Sequence, residues 1–274
     1  MPAVLHTKPR LSIVTCTYKA NEKFLRKCLQ SIETQTYKNI EHIFNDSYSD
    51  PATLNIIQEY TDRNKDKYPI KFFQSEPRGV AYALNKAYPH ATGEIIHFLH
   101  ADDYYYTQHA LEKAISYFDK NPEIHWLTGD LLVEIEGKLI KFPMTKILSL
   151  SPQKALATMN WISHENTFMK TELLGKYGGF NEDVRSPVEY RLWLRMIRKE
   201  KVFITKDIFA VYTVHKGSAS SGSARALFRG LAECVKIMYN EKILFGVGHR
   251  EDTRVFKALR TISDNAKMVL KKLG

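Results

Sequence analysis

Cysteine is scarce in this chain of 274 residues: Cys16, Cys28 and Cys234 form an odd set with no CxxC spacing. That argues against a disulfide framework and against structural zinc. Long apolar runs are missing as well. The best stretch, residues 95–99, is short and contains His97, whereas a bilayer-spanning helix needs about 20 apolar residues. The first ten residues hold no apolar segment of secretory type, so the expected location is cytoplasmic. Zinc-finger spacing, an aromatic RNA-binding signature and a basic region joined to heptads are absent too, which sets nucleic acid aside as a partner. Acidic residues are the scarcer charge, 30 Asp+Glu against 40 Lys+Arg, for a formal net charge of +10. What is abundant, 44% hydrophobic and 26% charged residues, suits a globular protein of one large domain or two joined halves.

The positive excess is concentrated at the end of the chain, where residues 225–274 carry 11 Lys/Arg and 5 Asp/Glu. Within them, 232–245 and 256–273 mix apolar and basic side chains. Such segments lie at an anionic membrane face or pack on a core with their charges in water. This tail is expected to be a basic helical C-terminal extension, with peripheral membrane contact, packing on the catalytic unit and a homodimer contact all open.

The first half of the chain alternates two periodicities. Leu11–Thr17 is apolar and β-branched, and residues 21–35 then repeat Phe24, Leu25, Cys28, Leu29 and Ile32 at helical spacing. The unit recurs at 40–44 with Ile56 and Ile57, and at 70–73 with 80–87, before a fourth strand over 94–99 that leads to Asp102 and Asp103. Alternation of this kind predicts a parallel sheet covered by helices, with ligands bound beyond the carboxyl ends of its strands. After Tyr104 the pattern predicts a helix to about 120, one strand over 126–134 and a loop or hairpin to 144. A helix from about 152, an amphipathic helix over 187–199 and paired strands within 202–214 complete the reading.

Several segments, taken in their order and spacing, resemble the inverting family 2 nucleotide-sugar glycosyltransferases of GT-A fold, of the bacterial surface-polysaccharide type. They are SIVTCTYKANEKFLRKCLQSIETQTYKNIEHIFND, SEPRG with ALNKA, ATGEIIHFLHADD, GGFNED and VEYRLWLRM. The resemblance runs from about Leu11 to Ser220. It implies an α/β GT-A (Rossmann-like) mixed, mostly parallel sheet flanked by helices over residues 1–224. About 10–103 would form the nucleotide-sugar-binding half and 104–224 the acceptor half.

On chemistry alone, Asp102 and Asp103 set two carboxylates side by side after a buried strand. A divalent cation resolves their repulsion, and a solvated turn or helix cap would avoid it. The resemblance favours the cation, Mn²⁺ or Mg²⁺, with Asp103 as its principal ligand, Asp102 on the ribose or the metal, and His215 on the metal or the diphosphate. It also implies nucleotide contacts at Thr15, Thr17 and Tyr18, a base-reading carboxylate at Asp46 and a diphosphate contact at Arg78. Without it, Asp46 with Ser47 and Ser49 would read as a polar turn. Glu189 takes the position of the general base, although a carboxylate there also complements a helix dipole. His164 and Trp161 are expected on the acceptor side. Three positions depart from the family pattern: His100 and Tyr82, where relatives often carry Asp, and Val188, where one partner of an acidic pair is lost.

The reaction so implied is inverting transfer from a nucleotide diphosphate sugar, a UDP-sugar foremost, to a hydroxyl of a lipid-linked or oligosaccharide acceptor. Its setting would be cell-surface polysaccharide biosynthesis at the inner face of the membrane. Two rivals stay open. The departures speak for a catalytically inactive nucleotide- or sugar-binding protein, and a sugar nucleotidyltransferase would require a Gly-rich, Arg/Lys-bearing loop that VTCTYKANE lacks.

Overall fold

The computed structural model describes residues 8–148, 152–157, 160–215, 233–238 and 240–241. In chain order, β1 (Leu11–Thr17), α1 (Glu22–Glu33), β2 (Ile40–Asp46), α2 (Pro51–Asn64), β3 (Ile70–Gln74), α3 (Val80–Ala87) and β4 (Ile95–Phe98) form the first half. Then come β5 (Tyr104–Tyr105), α4 (Ala110–Lys120), β6 (Trp126–Thr128), β7 (Leu131–Ile135), β8 (Lys138–Phe142), α5 (Met144–Leu148) and α6 (Pro152–Leu156). The last elements are β9 (Thr167–Lys170), α7 (Glu172–Tyr177), α8 (Tyr190–Met196), β10 (Val202–Ile204) and β11 (Ala210–Val214).

Local chemistry explains the early elements. Asn21 caps α1 by accepting from the backbone N–H groups of Lys23 and Phe24, and the helix buries Leu25, Cys28, Leu29 and Ile32 on one face. Asp50 caps α2 in the same way through Thr53, with Pro51 in the first turn. Among the described residues, seven strands form one sheet in the order β10-β6-β9-β4-β1-β2-β3. It is parallel throughout except for β9, which runs antiparallel to both β4 and β6. One face is covered by a cluster around Trp126, Trp193 and Phe180, the other by a cluster around Leu29, Phe44 and Tyr60. Each such fully buried large side chain contributes about 1.5–3 kcal/mol.

The second half departs from the sequence reading in two places. The single strand expected over 126–134 breaks at Gly129: β6 joins the large sheet, and β7 joins a smaller sheet ordered β5-β11-β7-β8. Only glycine fits at the break, because an added Cβ would lie 2.2 Å from the Asp207 carbonyl oxygen. The strands expected to pair within 202–214 do not pair with each other. β10 lies beside β6 and β11 beside β7, because both chain segments change sheets at one level, joined there by Thr205 N–H to Thr128 O (3.0 Å) and Asp130 N–H to Asp207 O (2.9 Å). The helix expected over 187–199 is shorter, Tyr190–Met196.

Of the basic tail, residues 233–238 are helical. Cys234, Ile237 and Met238 are buried in the Trp193 cluster, and Arg195 donates to Glu241 at 2.6 and 3.0 Å. The apolar side of this stretch therefore packs on the core. The other residues of the expected extension 225–274 lie outside the described residues, apart from 240–241.

At the sheet end away from the polar strand tips, Glu41 is buried and accepts from Ser12 Oγ (2.6 Å), Thr92 N–H (2.6 Å) and Thr92 Oγ1 (2.9 Å), with Lys71 Nζ 2.7 Å away. Gly93 sits against this knot, where a Cβ would come within 2.7 Å of Ser12 N and Oγ. Gly93→Ala should therefore destabilise the fold by about 1–3 kcal/mol through overpacking. An unchanged urea midpoint would contradict that reading.

Candidate active site

Strands β1, β2 and β4 end at one edge of the sheet, and a cleft of about 690 Å³ opens beyond them. Thr17 and Tyr18 line it, and Thr17 Oγ1 donates to Asp46 Oδ1 at 2.7 Å. Asp46 lies fully enclosed behind Thr17, its Oδ2 accepting from Ser49 N–H (2.9 Å) and Gln74 Nε2 (3.2 Å). Those three bonds leave its carboxylate one of about four acceptor positions. Lys19 and Tyr48 take left-handed backbone (φ 46° and 54°), and the Lys19 N–H bonds Ser49 Oγ at 2.8 Å, which ties the two strand-end loops together.

Three residues expected on the nucleotide stand off the cleft wall, the first being Asp46, expected to read the base but enclosed behind Thr17. Thr15 lies two residues below the strand end, fully buried, and is bonded to His42 Nε2 at 3.0 Å. His42 in turn meets the Tyr60 hydroxyl at 2.9 Å, and burial lowers its pKa to about 3, so this network is a neutral part of the core. Arg78 is exposed at the rim, its guanidinium 5.2 Å from the Tyr82 ring; Pro77 and Gly79 line the cleft but Arg78 does not.

The acidic residues form two neighbouring groups. Asp102 lines the cleft and accepts from His215 Nε2 at 3.1 Å, while the His215 ring stacks on Phe24 with centroids 4.3 Å apart. Asp103 is fully buried. Its Oδ1 accepts from Thr213 N–H at 2.8 Å, and its Oδ2 has no hydrogen-bond partner among the described residues. Asp103, His164 and Glu165 each bring one ligand atom within 4.8 Å of the others. Burial, followed by the charges of Glu165 and Asp102, pushes Asp103 well above the usual carboxylate range, and burial raises Glu165 as well. His100 meets His164 edge-on at 4.3 Å, and burial lowers both imidazoles to about 4, leaving them neutral. Carboxylate and neutral imidazole donors around an orphaned buried oxygen fit a divalent cation.

His164, expected on the acceptor side, thus stands beside Asp103, whereas His215 reaches Asp102 instead. Glu165 carried no expectation from the sequence. Its place comes from the short 3₁₀ turn before β9. His97 Nε2 donates to the Glu165 carbonyl at 3.0 Å, and Asn166 bonds Phe209 N–H (2.8 Å) and Ala210 N–H (3.1 Å).

Glu189 also lines the cleft, at the start of α8, where Asn160 Nδ2 donates to its Oε1 at 2.7 Å. Burial raises its pKa to about 7, with the Glu165 charge adding to the rise and the Asn160 bond opposing it. Trp161 is half-buried in the wall beside Asn160, and Val188 lines the same side. The arrangement therefore offers a tuned carboxylate and, near enough for Glu165 to raise its pKa, a carboxylate–imidazole cluster.

Residues 12–133 match the family described as "Glycosyl transferase family 2". A GalNAc(5)-diNAcBac-PP-undecaprenol beta-1,3-glucosyltransferase of Campylobacter jejuni is 30% identical over 245 residues, covering 85% of this chain and 75% of its own length. The Escherichia coli UDP-Glc:alpha-D-GlcNAc-diphosphoundecaprenol beta-1,3-glucosyltransferase WfaP is 28% identical over 80% of this chain and 83% of its own. Among solved structures, S. aureus TarS (residues 1–349) in complex with UDP-GlcNAc superposes with a TM-score of 0.67 at 20% identity, over 91% of this chain and 70% of that one. The mannosyltransferase PcManGT of Pyrobaculum calidifontis, in complex with GDP-Man and Mn²⁺, gives 0.59 at 19% identity, over 96% and 81%. Both share the mixed, mostly parallel α/β architecture.

Proposed function

Because the chain belongs to glycosyl transferase family 2, we propose that it transfers a sugar with inversion from a nucleotide diphosphate to an acceptor hydroxyl, with Glu189 as general base. The observation that carries this reading is the buried Glu189, raised to about 7, facing the same cleft as the Asp102–Asp103 loop. A carboxylate with that pKa is half ionised near neutrality and takes a hydroxyl proton readily. The reacting unit is the stretch to residue 224, with the donor bound by residues 10–103 and the acceptor by 104–224.

On the donor side, Thr17 and Tyr18 hold the nucleotide, and Asp46 acts from behind by fixing the Thr17 hydroxyl. Asp103, His164 and Glu165 would hold Mn²⁺ or Mg²⁺, with Asp102 and His215 alongside. When bound, the cation supplies Lewis-acid neutralisation of charge on the departing diphosphate. Trp161 offers a face for the acceptor sugar. A UDP-sugar donor is supported by the names of WfaP and of the TarS complex, and a lipid-diphosphate acceptor by those of WfaP and the C. jejuni enzyme. Such an acceptor puts the work at the inner face of the cell membrane, in surface-glycan assembly. No helix among the described residues is long and apolar enough to cross that membrane.

The pH dependence tests the base. Activity should rise with pH along a limb centred near 7, because only ionised Glu189 accepts the proton. Asn160→Ala removes a bond that favours the ionised form, so the limb should move to higher pH. A profile with no limb near 7 in the wild type, or no movement in the variant, would place the base elsewhere.

A further inference from the structure

We propose that the β7–β8 hairpin is a membrane-docking surface whose occupant is an anionic lipid bilayer. Among the described residues, β8 is an edge strand of the small sheet, and all five of its residues are exposed. Leu139 is 51% exposed, Ile140 42% and Phe142 39%. The other exposed large hydrophobic side chains among the described residues are Tyr18, Tyr48, Tyr106 and Phe72, so every exposed large aliphatic one lies on this single strand. Alternation along the strand sets Ile140 and Phe142 on one face with Lys138 and Leu139 on the other with Lys141, so both faces of this edge present apolar side chains to water, as an interaction surface does.

Charge identifies the partner. From residue 137 to 164 the sequence holds Lys138, Lys141, Lys146 and Lys154 and no Asp or Glu. Lys138, Lys146 and Lys154 are exposed, whereas Lys141 reaches Asp130 at 3.1 Å. Glu136 at the turn is the hairpin's one exposed acid, since Glu134 pairs with Lys27 at 2.7 Å. Apolar side chains interleaved with lysine suit the boundary of an anionic bilayer, where the apolar groups enter the acyl region and the lysines meet headgroups. A second copy of this chain is the poorer occupant, because pairing two β8 edges would gather Lys138 and Lys141 of both strands in one short ladder.

Register relates this surface to the cleft. Ile135 pairs with Val214, the residue before His215, so the hairpin turn lies at the same end of the small sheet as that cleft residue. A bilayer seated on β8 would run beside the cleft mouth. The benefit for a lipid-linked acceptor rests on the reaction proposed above, but the docking itself does not.

The test is co-sedimentation of the full chain with vesicles of phosphatidylcholine alone and of phosphatidylcholine with phosphatidylglycerol. Binding is expected on the anionic vesicles only, with release at high salt as screening shortens the attraction. It should weaken by at least about tenfold in the double variant Lys138→Glu with Lys146→Glu, and comparably in the triple variant Leu139→Ser, Ile140→Ser and Phe142→Ser. The emission of Ile140→Trp should shift to the blue on anionic vesicles and not on neutral ones, and this readout decides the matter should the triple variant fail to fold. Absence of binding, equal binding to both vesicles, or undiminished binding by the lysine variant would overturn the proposal, the last by moving the contact to the basic tail. Wild-type dimers in sedimentation velocity that the triple variant abolishes, without vesicle binding, would assign the surface to a second copy instead.

Discussion

Glu189→Gln should lower turnover by about 10²-fold or more while leaving donor binding close to the wild-type level, the usual consequence of removing a general base. The amide is nearly isosteric and can still accept from Asn160, so the cleft keeps its shape while losing the proposed proton acceptor. Its low-pH limb should vanish along with the rate. A second readout comes from stability. Glu189 has a folded pKa of about 7, raised from 4.5 chiefly by burial, so the fold binds its proton more tightly than the unfolded chain does. The stability this contributes is complete below pH 4.5 and is lost as pH rises through 7. Above pH 8 the ionised, buried carboxylate costs up to about 3 kcal/mol, and the glutamine variant should gain up to that amount in urea unfolding relative to wild type. Near-normal turnover in this variant would exclude Glu189 as the base. Asp183, the nearby acid, is a weak substitute, because its side chain is 76% exposed and faces Arg191 at 3.7 Å.

Asp103→Asn should abolish transfer, by about 10³-fold or more, because it removes one charged ligand from the cluster that would neutralise the leaving group. The fold should survive: the asparagine carbonyl can still accept from Thr213 N–H, which at 2.8 Å is the one hydrogen bond the Asp103 side chain makes among the described residues. Calorimetric titration with Mn²⁺ separates the two effects. The folded variant should lose most of the heat of cation binding seen with wild type, and His164→Ala should weaken it by a smaller factor. Wild-type activity undiminished in excess EDTA would remove the cation from the account.

The donor half was the more legible part of the sequence. Strict alternation of β-branched runs with helical spacing located β1 to β4 and α1 to α3, because each of these elements is set by local patterning and by caps such as Asn21 and Asp50. The loops that follow the strands then had to meet at one edge, which is why Thr17, Tyr18 and Asp102 were found in the cleft. Depth below that edge was not legible. The period of two that identifies a strand does not say that Thr15 is already under the rim, bonded to His42. The second half resisted for a different reason. The break at Gly129 depends on how closely Asp207 approaches, a tertiary contact across nearly eighty residues, and no local signal marks it.

Glu165 shows the same limit within the site. It stands next to His164, which the family resemblance had singled out, and that adjacency was the only sequence signal available. Its carboxylate becomes part of a cluster because the 3₁₀ turn before β9 is held by His97 and Asn166 against Asp103, more than sixty residues earlier. Asn160 likewise has no motif; it matters because its amide reaches Glu189. Of the departures noted in the sequence, His100 is a neutral imidazole packed on His164, so a position often acidic in relatives here adds a nitrogen base beside the acidic cluster and no charge.

The most direct test of the central claim is nucleoside diphosphate release from a panel of nucleotide sugars, measured with and without a polyprenyl-diphosphate oligosaccharide acceptor and with and without EDTA. The account predicts that one donor, a UDP-sugar foremost, is consumed together with acceptor glycosylation. EDTA should stop that consumption, and added Mn²⁺ should restore it. A nucleotide sugar that binds but is never consumed under any of these conditions would contradict the account and show a binding protein on a glycosyltransferase fold.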